Sequence, residues 1–90
     1  MRYLVVLDAS SAIGAAYASG RHDGMVKGGA RESNPAIDCY EISLESPVYL
    51  LVHRGKSATS EDRQTVLIPH GSVVAIFRYN EGEPRPIGFV

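Results

Sequence analysis

Thr65–Phe77 reads TVLIPHGSVVAIF, two apolar runs separated by a Pro69-His70-Gly71 corner. Val66 and Ile68 alternate with Thr65 and Leu67, and Val73 to Phe77 follow at once, so the chain must turn within about three residues between two strands. The pattern predicts a β-pair bent tightly in its middle. Both runs are apolar on both faces, and strands of that kind need cover on each side. A chain of 90 residues has little to spare for a second cover, which points to a partner subunit.

Working outward, Val48–Val52 (VYLLV) precedes this stretch as another run apolar on both faces, joined to it by the polar hairpin-type loop His53–Arg63. Before it, Ile37–Leu44 alternates, with Tyr40, Ile42 and Leu44 on one face and Glu41 and Ser43 on the other, and Ser46-Pro47 bends or interrupts the strand. At the start of the chain Arg2–Leu7 (RYLVVL) is a strand, closed by the turn-forming Asp8-Ala9-Ser10-Ser11. Ala12–Ser19 (AIGAAYAS) carries two patterns: its alanines and a Ser10 cap suit a helix, whereas Ile13, Ala15 and Tyr17 alternate as in a strand. Gly14 costs a helix about 1 kcal/mol relative to alanine and fits a strand bend, which favours the strand. Residues 20–36 have loop composition, with one short extended piece around Met25-Val26, and residues 80–90 form a turn-rich tail in which Ile87–Val90 could add an edge strand or dock on a neighbour.

The expected fold is all-β: one domain over residues 1–90, with about five strands in a small, strongly bent antiparallel barrel. A net charge of −1 gives no overall basic footprint, so nucleic-acid contact would need a local patch repeated by symmetry. The one cysteine, Cys39, fits a reducing compartment. Asp8 ends the first apolar run after Leu7, so neither a signal peptide nor a membrane span is expected, and the protein is expected to be cytoplasmic.

The order of these elements resembles the Sm-like family, the small SH3-like barrels of the Sm, LSm and Hfq proteins. Ile68–Ile76 (IPHGSVVAI) is similar to the family's second motif, with apolar positions at Ile68, Val73 and Ile76. Val5–Leu44 is similar to the first: a strand ending at Leu7, the turn Asp8–Ser11, a small residue at Gly14 or Ala15, then Tyr40–Pro47 (YEISLESP). His70 falls where the Hfq branch has the histidine of its Tyr-Lys-His motif, with Pro69 in place of the lysine; Glu41 stands where other branches carry a uracil-reading asparagine.

The resemblance implies a cyclic homo-oligomer of roughly five to seven subunits, with the Pro69-His70-Gly71 corner and the loop before Tyr40 at the pore. It implies binding of single-stranded RNA or DNA there. Tyr40 and His70, with Gly71, are the candidates for base contacts, and Arg54, Lys56 and Lys27 for backbone phosphates. No cofactor, metal or catalytic step is expected, since Ser10, Ser11, Cys39 and the histidines show no nucleophile or zinc spacing. One alternative is a barrel used only for assembly. Another comes from Leu4–Ile13 (LVVLDASSAI), which is similar to the opening of PIN-domain ribonucleases and would make Asp8 a ligand of a catalytic metal.

Overall fold

The computed structural model of the chain describes residues 1–27 and 33–83. Its elements in order are β1 (Arg2–Leu7), α1 (Ala12–Ala18), β2 (Gly24–Lys27), β3 (Ser33–Cys39), β4 (Glu41–Ser43), β5 (Tyr49–Arg54), β6 (Gln64–Pro69), a 3-10 turn (His70–Ser72) and β7 (Val73–Tyr79). The strands form two antiparallel sheets, ordered β2-β3-β1-β7 and β4-β5-β6. The fold is therefore mostly β, with seven strands among the described residues where about five were expected. No helix of the described residues is long and apolar enough to cross a membrane.

Two expectations about the organising stretch need correction. The corner does lie between two strands, but β6 and β7 are not a pair: β6 hydrogen-bonds only to β5 and β7 only to β1 among the described strands. The 3-10 turn carries the chain from one sheet to the other, as Tyr40 does between β3 and β4. Nor do the sheets close into a barrel by hydrogen bonds, because no ladder joins them among the described residues. They are held instead by side chains.

Val5, Leu7, Ile37 and Cys39 of the first sheet meet Leu50, Val52 and Ile68 of the second, all buried, with Tyr17 of α1. Fully burying a Leu or Ile side chain stabilises by roughly 1.5–3 kcal/mol, so this cluster dominates the fold. The opposite face of β1 buries Leu4 and Val6 with Ala36, against Val26, Ala75 and Tyr79. β1 is thus covered on both faces, as its unbroken apolar run demands. β6 and β7 are not: Leu67 is 54% exposed, Val74 56%, and Ile76 and Phe77 38% each.

Ala12–Ala18 is a helix, which corrects the preference for a strand. Ser11, not Ser10, caps it: its hydroxyl accepts from the Gly14 amide at 3.0 Å and donates to the Asp8 carbonyl at 2.7 Å. Ile13 and Tyr17, four residues apart, turn to one face and pack into the core between the sheets, which an alternating strand would not allow. Gly14 lies against the Asp8 carbonyl, so it serves close approach rather than a strand bend. Residues 20–36 hold β2 at the expected Met25-Val26 and also the start of β3. The expected edge strand at Ile87–Val90 and the middle of that loop, 28–32, lie outside the described residues.

Burial pushes the Cys39 thiol up to about 12, with the Asp38 charge adding to it. At a given pH near neutrality its thiolate fraction should be about a thousand-fold below that of a thiol at the ordinary 9.0. Native protein at pH 8 is expected to resist iodoacetamide by at least that factor and to become reactive only in denaturant, as mass spectrometry of the alkylated product would show.

Candidate functional site

The corner that follows β6 is tied to the loop between β4 and β5. His70 Nε2 lies 2.8 Å from the Ser46 carbonyl, and the His70 amide donates to the Val48 carbonyl at 3.1 Å. A carbonyl only accepts, so Nε2 carries the proton in this arrangement. Ser46 Oγ in turn accepts from the amides of Val48 and Tyr49. Gly71 is exposed, with nothing within 4 Å of where a Cβ would stand.

Tyr40 sits elsewhere. At the bend between the sheets its amide donates to the His53 carbonyl at 3.0 Å, and its ring stacks on the His53 imidazole with centroids 6.0 Å apart and planes inclined by 29°. His53 Nδ1 is 3.0 Å from Thr65 Oγ1. Along β5 the register sets Tyr49 opposite Pro69 and Arg54 opposite Gln64, so His70 belongs to the Tyr49 end and Tyr40 to the His53 end. Four residues of strand separate them, roughly 13 Å. The two residues expected to share one surface therefore lie at opposite ends of the second sheet.

At the Tyr40 end an open cleft of about 660 Å³ lies between the two sheets' termini, lined by Arg2, Arg21, Arg54 and Lys56 together with Asp23, Asp38, Asp62 and Gln64. Its two ion pairs among the described residues are largely hidden from solvent. Arg2 Nε meets Asp38 Oδ1 at 3.0 Å, and the other two nitrogens of the same guanidinium donate to the carbonyls of Lys56 and Gly55 at 3.2 and 2.9 Å. Arg54 meets Asp23 at 3.2 Å, donates to the Arg21 carbonyl at 3.0 Å, and stands 5.8 Å above the Tyr17 ring. Tyr79 donates its hydroxyl to the second oxygen of Asp38 at 2.6 Å. Burial opposes the Arg2 charge, but hydrogen bonding and attraction from Asp38, helped by Tyr79, outweigh it and hold its pKa above the ordinary arginine value.

Arg54 and Lys56 are thus brought together, whereas Lys27, exposed at the end of β2, does not line the cleft. Arg2 and His53 have no local sequence signal as site residues, and Arg21 shows only as one of the cations of the loop-like residues 20–36. Arg2 meets Asp38 only because β1 pairs with β3. Replacing Arg2 by methionine keeps the stem and removes the clamp; the unfolding free energy is expected to fall by about 2 kcal/mol, since Asp38 is left without its cation in a partly buried place. Urea denaturation of both proteins measures this.

Asp8 caps its own turn. Its Oδ1 accepts from the Ser10 hydroxyl at 2.6 Å and the Ser10 amide at 2.9 Å, and these bonds hold its carboxyl below the usual range. Among the described residues no three His, Cys, Asp or Glu side chains gather as metal ligands would. Comparison with family models, curated proteins and solved structures found no match to this chain.

Proposed function

We propose that the protein is a ring-forming Sm-like module that assembles edge to edge and binds single-stranded RNA or DNA, with no catalytic step. The observation that carries this is the state of β6 and β7. Among the described residues each is the last strand of its sheet, and the exposed apolar residues Leu67 on one and Val74, Ile76 and Phe77 on the other suit both to a further strand. Beside β6 runs a largely apolar groove of about 480 Å³ lined by Ala12, Ile13, Ala16, Tyr49, Leu67 and Pro69. A neighbour's β7 laid along β6 would cover its exposed apolar side chains in that groove. The two edges differ, so the contact is head to tail and generates a ring when its rotation closes.

For nucleic acid the support is the Tyr40–His53 pair, a half-exposed aromatic stack at the same end of the second sheet as the mixed-charge cleft. Assembly without nucleic acid is favoured by a different observation: Asp38 and Asp23 already neutralise Arg2 and Arg54. Fluorescence anisotropy with labelled ten-nucleotide poly-U, poly-A and poly-dT at two salt concentrations separates the two. Binding that weakens as salt rises is expected, because phosphate contacts release counterions. Tyr40→Ala should weaken it by about tenfold, the lower range for one stacked base. Absence of binding at low salt would leave assembly alone.

A further inference from the structure

The cleft contains four cations, and they are not equivalent. Arg2 and Arg54 are committed to Asp38 and Asp23, while the side chains of Arg21 and Lys56 make no hydrogen bond or ion pair among the described residues. Each of these two uncommitted cations stands on backbone that a committed arginine holds. Arg54 grips the carbonyl of Arg21, and Arg2 grips the carbonyls of Gly55 and Lys56. Gly55 has φ +118°, and a Cβ there would come within 2.9 Å of the Arg63 Cα, so the loop presenting Lys56 is closely packed at its base. The remaining acid, Asp62, shares the loop: its carboxyl is held below the usual range chiefly by the Ser60 hydroxyl, its Oδ1 accepts from the Lys56 amide at 3.4 Å, and the Lys56 ammonium attracts it more weakly.

From this arrangement we propose that the cleft is a phosphoryl-binding site, with Arg21 and Lys56 as its ligands and Arg2 and Arg54 as positioning residues. Two cations of unlike shape on anchored backbone, a planar fork and a point charge, suit the tetrahedral oxygens of a phosphate better than a planar carboxylate. The site deepens the proposed function, because the cleft lies at the Tyr40 end of the second sheet, but the cleft argument stands on its own geometry. A free phosphate or phosphomonoester shares the same chemistry.

The test is an NMR titration of the ¹⁵N-labelled full chain with inorganic phosphate, and separately with an unphosphorylated eight-nucleotide poly-U. Saturable shifts at the amides of Arg21, Gly55 and Lys56 are expected with phosphate and lost in the Arg21→Gln/Lys56→Gln double variant. The double variant should also bind the oligonucleotide at least tenfold more weakly, which makes the strand backbone the source. Shifts with phosphate but no oligonucleotide binding would support the cleft, assign it to a free phosphate and remove the nucleic-acid reading. Oligonucleotide binding that the double variant leaves unchanged, with no cleft response to phosphate, would overturn the cleft and spare the nucleic-acid reading. Silence towards both ligands overturns both.

Discussion

Gly14→Ala is expected to destabilise the protein by about 2 kcal/mol, although alanine is the better helix former. Two effects compete at this position. Removing a glycine from a helix interior should stabilise by about 1 kcal/mol. Against that, a Cβ at residue 14 would overlap the Asp8 carbonyl oxygen, lie 2.6 Å from its carbon and 2.9 Å from Ser11 Oγ. Relieving it means moving β1's exit or breaking the Ser11 cap, and overpacking of this kind costs typically 1–3 kcal/mol, more where backbone must shift. Packing wins, so the melting temperature should fall by roughly 8–16 °C for a chain this size. A higher melting temperature in Gly14→Ala would mean that α1 does not dock against the β1 turn as described.

If subunits join edge to edge as proposed, Leu67→Lys together with Val74→Lys is expected to leave single subunits that remain folded. Both side chains are more than half exposed in the isolated chain, so each change should alter folding stability by less than about 0.5 kcal/mol. Within an edge-to-edge contact both lysines would be desolvated at every interface, at several kcal/mol per uncompensated ion. That is a weakening of at least about a thousand-fold per contact, at 1.4 kcal/mol per factor of ten. Analytical ultracentrifugation of the double variant beside the unaltered protein reads the change directly, and circular dichroism confirms the retained strands. An unchanged mass would place the interface elsewhere.

Much of this fold can be read locally. β1, β5 and the corner after β6 announce themselves through runs apolar on both faces between turn residues, and the Asp8–Ser11 turn through its side chains. The helix was harder, because Ile13, Ala15 and Tyr17 fit a strand as well as Ile13 and Tyr17 fit a helix. What separates them is the Ser11 hydroxyl on the Gly14 amide and the packing of Tyr17 between the sheets, which are tertiary facts. The division of β6 and β7 between sheets was equally hidden, since strand pairing is decided by partners such as β1, some seventy residues away. The site shows the same limit. Lys56 and Arg54 stand out as cations, but Arg2 meets Asp38 at a separation of 36 residues and His70 meets Ser46 at 24. No local pattern records which charges are neutralised or which imidazole is occupied.

The most direct test is the mass of the unaltered protein by light scattering at micromolar concentration. Edge-to-edge assembly predicts one species at a whole multiple of the 9.7 kDa subunit, in the range of roughly five to seven copies. A folded, monodisperse 9.7 kDa particle would contradict it, since the edges of β6 and β7 would then be stable uncovered.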